Sequence, residues 1–316
     1  MNGNGAALAK RRGLGDRKVR VLGQKYTLSE MGAGYLLLIP SIVFLAFLFV
    51  YPVIRVIYLS LTNFNMATGV MDYVGLRNYE YLIGNDRFWK SLLNTCLYAA
   101  AKLAIDTSLA LLLAVMLDSR IPFRRFLRSS YFAPVVVPVV ASSLIWIWFY
   151  DPSVGPFNQI LSWVGLPQLR WLYNESTSLM SILIFSIWKG LGYNIILFLA
   201  GLQSIQDSYL EAARVDGASE WSIFWRVKFP LLRPVTSFIL MIGIINSFKV
   251  FTEVNVMMPK DLKSMIQLIV NYIYEQAFTN GRMGRASAAA LMLFVIIFVL
   301  TMVQRMIGAR KSLEID

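Results

Sequence analysis

The chain has 316 residues, of which 57% are hydrophobic and 15% are charged, with a mean hydropathy of +0.58. A single soluble core of this size cannot bury so much apolar surface, so the composition indicates a protein that lies in a lipid bilayer. Histidine is absent and Cys96 is the single cysteine. These two facts exclude disulfides within the chain, the usual Cys/His zinc sites and His-based catalytic triads.

In chain order, a tail of residues 1–30 precedes a series of apolar stretches that are each long enough to cross a bilayer. The first stretch is too long for the apolar segment of a signal peptide and lies behind a basic tail, so we predict an uncleaved helix. The predicted fold is all-α integral membrane, with about six transmembrane helices in a domain of residues 31–309 and a second tail at 310–316. The predicted spans are 33–58, 92–117, 129–150, 179–203, 235–258 and 286–307.

The net charge of +12 is carried mainly by the tails and loops, not by one helical face, so no nucleic-acid partner is indicated. Most Lys and Arg residues lie on the side of the membrane that holds both tails and the loops around 120–128 and 204–234. Cytoplasmic loops carry the excess of positive charge. We therefore expect a multi-pass protein of the bacterial inner membrane with both termini in the cytoplasm, and basic tail residues that can contact anionic lipid.

Two pairs of opposite charges lie inside predicted spans, Lys102 with Asp106 and Lys249 with Glu253. Residues four apart share one face of a helix, so each pair can form a salt bridge. Charges are costly in hydrocarbon. The pairs either neutralise each other for insertion or belong to a polar pathway, and the sequence leaves both readings open.

The loop between the third and fourth spans contains many turn-forming residues at 151–156, followed by an apolar segment at 157–164. Trp and Tyr side chains concentrate at the membrane–water interface. We predict a short interfacial helix here, with Trp163 and Trp171 at the level of the lipid headgroups.

The loop at 204–234 predicts two helices with a break between them. Residues 211–216 favour a helix, Gly217 can adopt the left-handed conformation that ends one, and Ser219 can cap the next helix. Pro230 and Pro234 are expected to end that second helix just before the fifth span. The product is a paired-helix projection on the positively charged side, with Glu211 at its surface.

This segment resembles the membrane subunits of binding-protein-dependent ABC importers, in particular the sugar permeases that include the maltose and glycerol-phosphate transporters. The family signature is Glu-Ala-Ala, three residues, Gly, nine residues and Ile-x-Leu-Pro. The chain matches it at Glu211, Ala212, Ala213 and Gly217, with Val227, Lys228, Phe229 and Pro230 at the second half of the motif. One departure is Met257-Met258-Pro259-Lys260-Asp261, which stands where these permeases commonly carry a Gly-Gly-Gly-Pro-like turn.

The resemblance implies the fold of a type I ABC importer permease and a coupling role for the projection, carried by Glu211, Ala212, Ala213, Asp216 and Gly217. In that family the projection sits in a cleft of an ATPase subunit; the alternative is an ordinary cytoplasmic helical hairpin. The implied partners are a second permease subunit, expected to be a different chain, two ATPase subunits, a solute-binding protein and a sugar, expected to be an oligosaccharide. The chain has no Gly-x-x-x-x-Gly-Lys-Ser/Thr motif, so ATP and Mg²⁺ are expected on the ATPase subunits and no cofactor or catalytic residue on this chain.

A sugar needs hydrogen-bonding and aromatic groups in a cavity at mid-membrane. Spans four and five are rich in such groups, and the resemblance aligns parts of both with sugar-contacting positions. Small residues there can equally serve helix packing, and polar groups can bond to a neighbouring subunit. The predicted pathway residues are Ser186, Lys189, Gly190, Tyr193, Asn194, Gly243, Asn246, Ser247 and Val250.

Two other classes of function would each require features of their own. An ion-coupled secondary transporter would use Asp106 or Glu253 as the coupling carboxylate and would show inverted repeats with matching broken helices, which the sequence does not display. A membrane enzyme would require clustered carboxylates or histidines at the membrane face, and none is evident.

Overall fold

The computed structural model describes residues 18–21, 24–119, 122–259 and 266–312. The chain divides into two compact units, Met1–Tyr58 and Leu59–Asp316. The part of the chain at 260–265, which includes Lys260 and Asp261 of the departing turn, lies outside the described residues, as do most of the two predicted tails.

The first unit contains a small hairpin and a long apolar helix. Strands β1 (Lys18–Val21) and β2 (Gln24–Thr27) pair antiparallel with Lys18 opposite Thr27, within the segment predicted as a basic tail. Helix α1 (Leu28–Leu45) follows at once, continues through a π-helical turn (Ala46–Val50) and extends into α2 (Tyr51–Ser60). The apolar side chains between Tyr35 and Tyr58 are exposed, as a lipid-facing helix requires.

The second unit is built from helices. Those long and apolar enough to cross a membrane are α4 (Asp86–Asp118), α8 (Glu175–Gln203), α12 (Arg233–Phe248) together with α13 (Thr252–Met257), and α15 (Met283–Ser312). The remaining helices are α3 (Arg77–Ile83), α5 (Arg124–Val136), α6 (Val139–Phe149), α7 (Pro156–Trp163), α9 (Asp207–Val215), α10 (Glu220–Ile223), α11 (Phe229–Leu231) and α14 (Ile269–Tyr274).

The predicted third span, 129–150, is not one helix. It consists of α5 and α6, which meet at an angle of 102° around Val137 and Pro138. Both helices nevertheless pack along α8 in sequence order. Later residues of α5 and α6 contact earlier residues of α8. In order these contacts are Tyr131 with Gly192, Pro134 with Lys189, Trp146 with Phe185, and Tyr150 with Ser181. The bent pair therefore runs antiparallel to α8 and forms one crossing, which brings the total among the described residues to six.

The predicted fifth span, 235–258, is also interrupted. Helix α12 ends at Phe248 and α13 begins at Thr252, with Phe251 in a non-helical conformation (φ −140°, ψ −54°). The break separates Lys249 from Glu253, so these two do not share a helical face. The predicted salt bridge between them is wrong for the described part of the chain, whereas Lys102 and Asp106 on the continuous helix α4 do pair, at 2.9 Å.

Close backbone approach holds the helices of the second unit together. A Cβ on Gly192 would collide with the carbonyl of Tyr131 in α5, and one on Gly243 with the side chain of Leu103 in α4. Leu103 thus packs α12 against α4, and Gly192 packs α8 against α5. Small residues at helix crossings are typical of membrane bundles, where no hydrophobic effect drives association. These helices confirm the predicted all-α membrane fold.

The loop between the bent pair and α8 is folded. Asp151 accepts hydrogen bonds from the backbone N–H groups of Ser153 and Val154, which hold the pKa of its carboxyl below the usual range. Helix α7 follows with Trp163 exposed, but Trp171 is buried and donates to Asn158 at 2.9 Å. Trp171 is therefore covered by α7, which also satisfies its indole N–H, and its position at the headgroup level stays a prediction.

Candidate functional site

The segment at 204–234 forms a sharp turn between two helices. Helix α9 ends at Val215, and Gly217 has φ +76°, the left-handed conformation predicted for it. The N–H of Ala218 donates to the carbonyl of Ala213, and that of Gly217 to the carbonyl of Arg214, which together make a Schellman motif. The turn is therefore fixed by hydrogen bonds that require a positive φ at Gly217.

The second helix begins at Ser219, whose Oγ accepts from the N–H of Ser222 at 3.3 Å. It runs through α10, a π-helical turn at Phe224–Lys228 and α11. The helix ends at Leu231, one residue after Pro230 and just before the fifth span, as predicted. Pro234 occupies the first turn of α12, where a missing N–H costs nothing.

The predicted coupling residues lie on the outer surface of this projection. Glu211, Ala212, Asp216 and Gly217 are exposed and Ala213 is half-buried. The Glu211 carboxylate makes no ion pair with any residue that the structure describes. Two large apolar side chains flank the turn in the open, Val215 at 88% exposure and Trp221 at 73%. Such an exposed apolar and acidic surface is typical of a protein contact.

An ionic network links the projection to the membrane helices. Asp118, the last residue of α4, lies 3.9 Å from Lys228 and 3.9 Å from Arg124, the first residue of α5. Arg214 pairs with Glu220 at 3.0 Å across the turn. A cavity of about 730 Å³ lies between the end of α4 and the projection, and it is bordered by all of these residues except Arg124. These ion pairs connect the projection to the ends of α4 and α5.

The predicted pathway residues do not all face one point. Ser186, Ser247 and Val250 are buried, Tyr193 and Asn246 are exposed, and Lys189, Gly190, Asn194 and Gly243 are half-buried. Ser186, Gly190 and Asn194 of α8 face α4, as does Gly243 of α12. Lys189 turns the other way, toward the bend between α5 and α6.

The sequence predicted only part of a polar cluster that lies at the α4–α8 crossing. Asp106 is 4% exposed, and its Oδ2 accepts from Lys102 at 2.9 Å and from Asn194 at 3.2 Å. Its Oδ1 is buried without a hydrogen-bond partner among the described residues. A Cβ on Gly190 would lie 3.5 Å from the Lys102 ammonium. The four-residue spacing of Lys102 and Asp106 signalled the ion pair, but no pattern placed it against Gly190 and Asn194.

A second polar contact lies nearer the other end of α8. The side chains of Tyr98 and Ser186 are adjacent, and neither hydroxyl has a hydrogen-bond partner in the described part of the chain. The Glu253 carboxylate acts electrostatically on both Tyr98 and Lys189. Polar groups from α4, α8 and α13 thus share one side of the bundle, next to the break in the fifth span.

Comparison with known proteins gives consistent relatives. Residues 107–313 match the model of the binding-protein-dependent transport system inner membrane component family. An arabinooligosaccharides transport system permease protein, AraP of Halalkalibacterium halodurans, is 32% identical over 87% of this chain and 87% of its own. The trehalose/maltose transport system permease protein MalF of Thermococcus litoralis is 31% identical over 91% of this chain and 97% of its own.

The fold is shared with solved ABC transporters. A chain from the crystal structure of a bacterial alginate ABC transporter, in complex with an alginate pentasaccharide-bound periplasmic protein, superposes with a TM-score of 0.79 at 22% identity. The match covers 90% of this chain and 96% of that one. The six crossings, the helix–turn–helix at 204–234 and these matches lead to one conclusion: the chain belongs to the family of binding-protein-dependent transport system inner membrane components.

Proposed function

We propose that this chain is one of two permease subunits of an ATP-driven importer and that it carries an oligosaccharide, delivered by a solute-binding protein, into the cytoplasm. The observation that carries the proposal is the exposed helix–turn–helix at 204–234, with Glu211 beside a turn that requires Gly217. The names of its relatives support the substrate class, since they refer to arabinooligosaccharides and to trehalose and maltose. The second permease subunit is expected to be a different chain.

In this proposal the chain itself catalyses nothing. ATP and Mg²⁺ bind to two separate ATPase subunits, and the projection docks on one of them through Glu211, Ala212, Ala213, Asp216 and Gly217. The free Glu211 carboxylate can accept charge-assisted hydrogen bonds from Arg side chains or backbone N–H groups of that partner. Closure of the ATPase dimer then moves the projection, and the Asp118 bridges to Lys228 and Arg124 pass the movement to α4 and α5.

The sugar is proposed to pass along the polar side of α8 and the fifth span. Tyr193 and Asn246 are exposed on this chain and therefore accessible to a solute. Ser186, Gly190, Asn194, Gly243, Ser247 and Val250 lie behind or beside them and shape the wall. Both termini are proposed to lie in the cytoplasm.

Reconstitution tests the proposal. Proteoliposomes containing the two permease subunits, the ATPase and the binding protein are supplied with arabino-oligosaccharides, maltose or trehalose, and ATP hydrolysis and uptake are measured. Glu211→Ala should release the ATPase or uncouple hydrolysis from uptake, whereas Tyr193→Ala should keep the ATPase bound and lose solute stimulation. Uptake that persists without ATP, or with this chain alone, would instead favour an ion-coupled secondary transporter.

A further inference from the structure

The bend between α5 and α6 leaves backbone carbonyls at the end of α5 without their helical donors, among them those of Pro134 and Val135. Pro138 has no N–H, so it cannot donate to the carbonyl of Pro134 four residues earlier. The chain leaves helical geometry at Val137 (φ −66°, ψ 134°), which also removes Val139 as a donor to Val135. Unsatisfied carbonyls are costly at membrane depth, where no water replaces the missing donor.

The ammonium group of Lys189 supplies both donors. Its Nζ donates to the carbonyl of Pro134 at 2.6 Å and to that of Val135 at 3.2 Å. Lys189 projects from α8 one turn from Gly192, where the backbones of α8 and α5 touch. Two of its three N–H groups are thus engaged with backbone.

We propose that Lys189 is a positioning residue that replaces the backbone donor missing at Pro138 and so fixes the bent third crossing against α8. The resemblance to sugar permeases aligns Lys189 with a sugar-contacting position. Its ammonium instead holds the bend, and the exposed ring of Tyr193 lies four residues further along α8. The inference rests on the proposed transport function only for the uptake measurement described below; the bend itself can be probed without any solute.

Accessibility of the bend gives the direct test. Val137 is 39% exposed at the break, so we would label Val137→Cys with a maleimide in the assembled complex, on a Cys96→Ser background. Lys189→Met should change the labelling rate about tenfold, because hydrogen bonds to a charged donor typically shift an equilibrium by that factor. Lys189→Arg, which keeps a charged donor, should restore most of the parental rate. Lys249→Met removes an exposed lysine from the break in the fifth span and should leave the rate unchanged.

A second variant separates this role from general damage. Pro138→Ala restores an N–H to position 138 and removes the proline ring that keeps Val137 out of helical geometry, so the chain can straighten there and the new N–H can donate to Pro134 in place of the lysine. Lys189→Met should therefore have little effect on labelling in a Pro138→Ala background, so the two substitutions should be strongly non-additive. If Lys189→Met alone fails to insert, its abundance in membranes is compared with that of the double variant, and the proposal expects recovery.

Uptake kinetics complete the test. The proposal expects Lys189→Met to lower the maximal rate while the half-saturating solute concentration stays within about twofold, since uniform binding is not removed. A raised half-saturating concentration with unchanged labelling at Val137→Cys would overturn it and return Lys189 to the sugar site. Additive effects of the two substitutions, or no recovery by Pro138→Ala, would overturn it as well. None of the labelling results depends on which solute is carried.

Discussion

Two glycines on α8, one half-turn apart, have different surroundings. A Cβ at Gly192 would collide with the backbone carbonyl of Tyr131, and backbone cannot move aside as a side chain can. A Cβ at Gly190 would make ordinary contact with Lys102 Nζ at 3.5 Å. Overpacking of a tight crossing costs about 1 to 3 kcal/mol. We expect Gly192→Ala to lower the thermal stability of the purified chain in detergent and Gly190→Ala, the matched control, to leave it nearly unchanged; equal losses would contradict this assignment.

The buried ion pair of α4 gives a second prediction at the residue scale. The side chains of Lys102 and Asp106 are 16% and 6% exposed, so removal of either partner leaves a charge without compensation. Breaking a buried pair in this way costs about 3 kcal/mol or more, whereas removing both charges is often neutral. Lys102→Met should therefore destabilise the chain far more than Lys102→Met combined with Asp106→Leu. Chemical denaturation in detergent checks this order of stability. A double variant less stable than either single variant would show that the two charges make other stabilising interactions besides their own ion pair.

At the scale of an element, substitutions in the turn at Gly217 can distinguish the effect of backbone conformation from the effect of steric contact. Nothing lies within 4 Å of a Cβ built there, so only its positive φ limits what the position accepts. A left-handed conformation costs an ordinary residue about 1 to 2 kcal/mol, and Asn tolerates it better than a β-branched residue does. Gly217→Val should reduce coupled ATP hydrolysis in proteoliposomes, while Gly217→Asn should retain most of it. If Asn were as harmful as Val, the partner would need the bare glycine surface, and conformation would not be the cause.

Elements whose signals are local could be predicted from the sequence. The long apolar stretches indicated their helices, and Gly217 and Ser219 indicated a turn and a cap that depend only on neighbouring backbone groups. The breaks in the third and fifth spans were not predicted, because a break in a helix does not change the apolar content of the stretch. Pro138 was a visible cause of the bend, but Lys189, which donates to the Pro134 carbonyl, lies 55 residues from Pro134, and only the packing of α8 brings these two together. The same holds for Asp106 of α4 and Asn194 of α8, which are 88 residues apart in the sequence.

At the scale of the whole molecule, the charge distribution and the order of crossings predict one topology. Six crossings place both ends of the chain on the same side as the projection at 204–234, and the excess of Lys and Arg on that side indicates the cytoplasm. Ser219 at the exposed turn and Trp163 at the end of α7 lie in loops separated by one crossing, α8. On a Cys96→Ser background, Trp163→Cys should react with a membrane-impermeant maleimide in whole cells, and Ser219→Cys only after the membrane is opened. Trp163 is 81% exposed, so a failure to react would not arise from burial in this chain. Labelling of Ser219→Cys from outside would invert the topology and remove the projection from the compartment where ATP is available, which would contradict the proposed coupling role.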